Sequence, residues 1–403
     1  MENLYSRLKW SRNRVVNENS KGGFVKLFIS KQLIQGSATA ILGIFVPIFI
    51  YETSGNLFYV VGLYYALLSL LTVLFIIPGM YAVNKIGFSR SLVLGGVFSV
   101  ILYTMMFFLT PENIWHILGP LAIVITLFRI FHWVPFHVDF ALFTKKGQRG
   151  KQVSLTFAST AFLGVIGPIL AGFIITNAGY DALFGVAVVL LSIATVSYAF
   201  VPETMTQFTW SYKETWKKLF SREMRGVAVG EFASGAEIIV NLVVWPIFLY
   251  EVLNGDFFEI GIVSTIVVGA TIVVQLFMGN KIDKGKDSKE KTLRVGSTLY
   301  AFGWILKMFI LSAAHVFFIG LYHNIVKIFT RTPFAAILYD LSADQGKYVD
   351  EYTVVREISS HSGRVVSLLV ISALSLTLPI GWAFLIAAVA SIALNLVYRL
   401  HNA

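Results

Sequence analysis

Pro47-Ile48-Phe49-Ile50-Tyr51-Glu52 recurs 199 residues later as Pro246-Ile247-Phe248-Leu249-Tyr250-Glu251. The offset persists on either side of this block. Phe58 matches Phe257, Gly62 matches Gly261, and Asn84-Lys85 falls on Asp283-Lys284. Further along, Arg129-Ile130-Phe131-x-x-x-Pro135-Phe136 returns as Lys327-Ile328-Phe329-x-x-x-Pro333-Phe334 at an offset of 198, and Gly164 meets Gly363 at 199. Six apolar residues match easily by chance in a chain of this composition. A series of matches near one offset, each at the same place in its half, does not, and it marks an internal repeat of half the chain.

The repeat unit is a set of apolar segments. With 56% hydrophobic and 13% charged residues, the chain falls far below the roughly 25% charge of a soluble domain. Apolar stretches lie at 27–51, 58–83, 91–109, 114–138, 153–176, 181–201, 226–250, 257–279, 293–313, 315–338, 358–378 and 381–399. Each is long enough to cross a hydrocarbon core of about 30 Å as a helix. The expected architecture is an all-α membrane protein of twelve transmembrane helices, as two six-helix bundles related by a parallel pseudo-twofold repeat. Residues 1–26 form a basic tail, 27–204 and 226–403 the bundles, and 205–225 a linker in which Trp210, Tyr212, Trp216 and Phe220 alternate with Lys213, Lys217, Lys218, Arg222 and Arg225. Such a stretch suits the membrane interface, or is an ordinary solvated linker.

Charge placement orients the map. With the N-terminus inside, the inward segments, with Arg294 and Arg399 at the inner ends of their spans, hold 26 of the 32 Lys and Arg residues and the outward loops hold none, as cytoplasmic retention of basic loops requires. Both termini are therefore expected in the cytoplasm, in a multi-pass protein of the plasma or inner membrane. The first 26 residues lack the apolar core of a cleavable signal. The net charge of +10 reads as topology and contact with anionic lipid, with no nucleic-acid partner. Zero cysteines exclude disulfides and thiolate chemistry. No phosphate loop, His-Glu-x-x-His or Gly-x-Ser-x-Gly occurs, and seven scattered histidines give no metal spacing, so no cofactor is expected.

Four local motifs add a resemblance. Gly279-x-x-x-Asp283-Lys284-Gly285-Lys286 follows span 8, and Met80-x-x-x-Asn84-Lys85-x-Gly87 follows span 2. Span 5 carries Gly164-x-x-Gly167-Pro168-x-x-Ala171-Gly172, and span 6 ends in Val201-Pro202-Glu203-Thr204. Together with two six-span halves and a basic central loop, the chain resembles the major facilitator superfamily. The resemblance implies a secondary transporter working by alternating access, with a cytoplasmic gate at Asn84, Lys85, Asp283 and Lys284. The span-5 motif resembles that of the family's antiporters and implies export. Span 1 lacks the deep acid of the family's drug–proton antiporters.

Ionisable residues inside a span are costly and mark a pathway by default. Span 4 carries Arg129 and His132; span 7 carries Glu237, with Asn241 four residues on and on the same helical face. Glu237 is the expected proton carrier, the competing reading being a permanent ion pair with a neighbouring span. His323, Lys327 and Arg331 form a stripe on span 10. With Arg129 they make the cavity basic and suited to an anion, unless Glu237, Glu357 or Asp340 neutralises them. Glu357, His361 and Arg364 share a face of span 11 and read as an inner gate or a solvated helix start. Pro168 removes a helical hydrogen bond, so Gly164, Gly167, Pro168 and Gly172 read as a helix-bend motif, or as simple packing. Lys307 is expected to reach outward to the headgroups.

The reading is a secondary active transporter of a small solute, expected to be proton-coupled and to work in the direction of export or antiport, and monomeric in the bilayer. The alternatives are a channel or transport-incompetent sensor of the same fold, and a polytopic membrane enzyme.

Overall fold

The computed structural model describes residues 22–143, 149–203, 208–278, 288–343 and 349–397. Among these the secondary structure is helical, with no β-strand. Helix α1 (Gly23–Leu42) is π-helical over Phe28–Gln35 and meets α2 (Phe45–Thr53) at a 41° bend. The cause is local: Pro47 has no N–H for the Gly43 carbonyl, and Gly43 itself leaves helical dihedrals. Then follow α3 (Phe58–Ile86), α4 (Phe88–Phe107), α5 (Ile114–Phe143) and α6 (Arg149–Tyr198), the last broken at Gly179, where φ is 75°. A short α7 (Tyr212–Leu219) leads into α8 (Arg225–Ile239), a π-helical turn Val240–Val244 and α9 (Trp245–Val252). Pro246 stands at the start of α9, so the repeated proline disturbs the chain at the same place in both halves.

The chain continues through α10 (Phe257–Met278), α11 (Ser288–Lys307), α12 (Ala313–Ala343), α13 (Val349–Leu374) and α14 (Ala383–Ala393). By length and apolarity alone, six helices among the described residues could cross a membrane, or seven if α1 and α2 count as one span. The expected spans 5 and 6 are the two arms of α6. Expected spans 9 to 12 fall short of that measure because charged and polar residues lie along α11–α13 and α14 is short. Between α11 and α12 the break covers residues 308–312, earlier than the turn expected near Ala314.

Two seams join the N-terminal helices to the C-terminal ones: α3 packs along α13, and α6 along α10. Small residues make both possible. A Cβ on Gly62 would collide with Ser372, and one on Gly172 with the Phe257 carbonyl. The Thr265 hydroxyl adds a 2.6 Å bond to the Val165 carbonyl across the second seam.

The linker is held rather than loose. Asn84 of α3 donates to the Phe208 carbonyl at 3.1 Å and accepts from the Phe208 N–H at 3.4 Å. Glu351 of α13 accepts from the Thr209 N–H and hydroxyl at 2.9 and 2.8 Å, and the Tyr81 hydroxyl donates to the Trp210 carbonyl at 2.9 Å. Helix α7 then starts with a capping box, Ser211 and Glu214 satisfying each other's backbone N–H groups. The Val-Pro-Glu ending also has a role: Glu203 accepts from the Ser89 N–H at 3.1 Å, at the start of α4, where a carboxylate complements the helix dipole.

Candidate functional site: a charged layer between the seams

Arg129 sits on α5 and faces Tyr64 and Tyr65 of α3, Tyr103 of α4, and Arg364 and Glu357 of α13, all within electrostatic reach of its guanidinium. Its Nη1 is shut off from solvent and has no hydrogen-bond partner, and the same holds for Arg364 Nε and the Tyr64 hydroxyl. His132, three residues along α5, points elsewhere. It is 0% exposed and lies among the rings of Phe128, Phe136 and Tyr198, the nearest centroid 5.2 Å away.

The C-terminal helices form a denser network. Glu237, 1% exposed, makes an ion pair with Arg331 and accepts from the Tyr300 hydroxyl at 2.5 Å. Arg331 also donates to the Ser234 hydroxyl at 2.7 Å. Arg356 Nε reaches Glu231 Oε1 at 2.6 Å, and Glu357 stands 3.6 Å from His361 Nε2. Helix α8 approaches α13 backbone to backbone: a Cβ on Gly235 would collide with the Ser360 carbonyl, and one on Gly363 with that of Phe232. That closeness is what brings Glu231 and Arg356 together. Breaking a buried pair by removing one partner leaves a stranded charge and costs about 3–5 kcal/mol.

The stripe on α12 divides. Arg331 belongs to the Glu237 network, whereas His323 is wedged edge-on between Tyr300 and Trp304, at 4.6 and 4.4 Å between centroids. Lys327 is within electrostatic reach of His323 and Lys307. Lys307 does not reach outward: it is 3% exposed, with its ammonium 3.7 Å from the Trp245 ring centroid and 4.3 Å from that of Trp304. Two indole faces offer it more than a strained path to the headgroups would. Asn241 lies in the π-helical turn Val240–Val244, which interrupts the i,i+4 register with Glu237.

Of the expected gate residues, Asn84 holds the linker, Lys85 lies in the last turn of α3, and Glu357 and Arg364 join the charged layer. Asp283 and Lys284 lie outside the described residues. In the span-5 motif, Gly167 abuts Ala40 of α1 and Gly172 abuts Phe257, while Gly164 has only Val268 near it, at 3.8 Å. The helix keeps helical dihedrals through Pro168; its break falls at Gly179.

A further feature lies at the end of the seams away from the linker. The Tyr51 hydroxyl donates to Glu251 at 2.7 Å and the Tyr250 hydroxyl donates to Glu52 at 2.7 Å, with the two phenol rings 6.2 Å apart. These are the last residues of the repeated block, and each dipeptide serves the other. Symmetry alone could have found this pairing, since identical surfaces meeting about a twofold axis exchange contacts reciprocally. The tyrosines around Arg129 carried no such signal.

The family model of the Major Facilitator Superfamily matches residues 31–228. The fold is similar to a solved POT family transporter in complex with 5-aminolevulinic acid, at 13% identity and a TM-score of 0.68, covering 94% of this chain and 95% of that one. A curated relative, the uncharacterized protein YqgE of Bacillus subtilis (strain 168), is 23% identical over 249 residues, and the match covers 59% of this chain and 57% of the relative. The family model matched over residues 31–228 and a transporter's fold over nearly the whole chain together support a member of the major facilitator superfamily.

Proposed function

We propose that this secondary transporter moves a small solute by alternating access, through twelve spans built as two six-helix bundles, residues 27–204 and 226–403, with both termini cytoplasmic. The observation that carries the reading is the reciprocal Tyr51–Glu251 and Tyr250–Glu52 pairing. It fastens the two bundles at one end of the charged layer through a few breakable polar bonds. Alternating access needs such a closure, and the matched seams α3–α13 and α6–α10 support the twofold relation about which the bundles would rock.

The transporter is proton-coupled, and Glu237 is the coupling group. Its carboxylate, held by Arg331 and Tyr300, has a partner whose release would change its affinity for a proton. Export or antiport is the direction implied by the span-5 motif. In proteoliposomes with an imposed pH gradient, Glu237→Gln abolishes uphill accumulation and leaves exchange partly intact; unchanged accumulation refutes the coupling. Counterflow of labelled solute tests the class itself, since a channel shows no exchange and a sensor no flux.

A further inference from the structure

We infer that the solute is a small organic anion, whose carboxylate or phosphate group is held by Arg129 together with Arg364 and the Tyr64 hydroxyl. The inference rests on the transporter reading and names the chemistry of its site.

The argument is a balance of buried charge among the described residues. Four cations within the spans have something to neutralise or cap them. Arg331 has Glu237, and Arg356 has Glu231. Lys307 lies against Trp245 and Trp304, and Lys31 lies 4.8 Å from the Trp133 ring centroid. The Arg129 locus differs. Arg129 and Arg364 share the field of Glu357, which also faces His361. Arg364 also lies within reach of Glu231, which Arg356 holds, so four guanidiniums (Arg129, Arg331, Arg356 and Arg364) share three carboxylates (Glu231, Glu237 and Glu357), leaving an excess of one positive charge.

Arginine does not relieve such an excess by losing its proton, and an unpaired charge away from water is costly. The remaining wall groups are donors. Tyr64, Tyr65 and Tyr103 present hydroxyls, and an Nη of Arg129, Nε of Arg364 and the Tyr64 hydroxyl have no partner. A planar fork with free N–H groups, flanked by the unpaired Tyr64 hydroxyl, matches an oxyanion. Lys327, at the position the repeat matches to Arg129, also lacks an ion pair or ring contact among the described residues, and its charged neighbours are basic. Both walls therefore favour a net negative solute over a zwitterion.

The test uses the purified full chain in nanodiscs. Thermal unfolding is followed against succinate, citrate, lactate, glycerol 3-phosphate, taurine, glycine betaine, choline and glycerol at matched ionic strength. The expected result is saturable stabilisation by a carboxylate or a phosphate, and whichever of the two acts names the group. Arg129→Gln weakens that binding about 100-fold, as loss of a charge-assisted pair of bonds implies, and Arg129→Lys less so.

Arg129→Gln is also expected to melt no lower than the parent without solute, because the excess charge is gone; a purely structural arginine would lower it. Stabilisation by none of the anions, or undiminished anion binding in Arg129→Gln, overturns the inference. Stabilisation and counterflow by choline, betaine or glycerol instead overturns it while the transporter reading stands. Anion binding through Arg129 without counterflow keeps the site and refutes the transporter reading.

Discussion

Replacing Tyr51 and Tyr250 by phenylalanine removes two hydroxyls and leaves both rings, so the edge-to-face contact between α2 and α9 is kept and the two bonds to Glu251 and Glu52 are lost. A hydrogen bond to a charged group contributes about 1.5–3 kcal/mol. Glu251 is exposed and Tyr250 half-buried, so the lower figure applies to each. Both bonds join opposite bundles and both must break when that end opens. The double variant therefore shifts the equilibrium toward the open end by about 3 kcal/mol, roughly 100-fold, and either single variant by roughly tenfold.

The chain has no cysteine, so one introduced thiol reports alone. Ser54, 5% exposed beside the latch, is replaced by cysteine and its labelling by an impermeant maleimide is timed. The rate should rise by the factors given. Ser99→Cys, buried at 1% exposure inside α4, serves as a control for unfolding and should not change. A double variant labelled at Ser54→Cys within twofold of the parent rate would show that these bonds do not hold that end shut.

Glu237→Gln and Arg331→Gln should each cost about 3–5 kcal/mol of stability in detergent and the double variant much less, because only the singles strand a buried charge; strictly additive melting shifts would contradict the ion pair. Gly235→Ala should destabilise by about 1–3 kcal/mol or more through overpacking against Ser360, whereas Gly164→Ala, with 3.8 Å to its nearest contact, should be near neutral. Equal melting points for these two variants would refute the backbone contact between α8 and α13. Asn84→Ala and Glu351→Ala should each loosen the linker by about 1–2 kcal/mol and speed tryptic cleavage at Lys213 and Lys217. Unchanged cleavage would mean the linker is held by other means.

Much of the scaffold was legible because bilayer physics writes itself into composition: apolar runs and the spacing of the repeat survive without knowledge of contacts. The candidate site was legible only as a set of residues. A sequence shows that Glu237 and Arg331 are costly where they stand, but pairing depends on helix rotation, which the π-helical turn at Val240–Val244 and the bend after Leu42 alter locally. Lys307 shows the same limit, since an outward lysine and one between two indoles have the same local sequence. Tyr64, Tyr65 and Tyr103 carry no signal in the sequence, because tyrosine in a span is ordinary until an arginine is known to face it.

The bonds made by residues 208–210 bear on how the protein could move. They connect Asn84 and Tyr81, at one end of α3, with Glu351, at the adjoining end of α13. The α3–α13 seam is thus stapled at the linker end, and the α6–α10 seam has no counterpart of this staple among the described residues. A passage opening there would swing like a clamshell hinged on one edge, with the greater displacement on the α6–α10 side. The linker, in that geometry, is an axle rather than a leash.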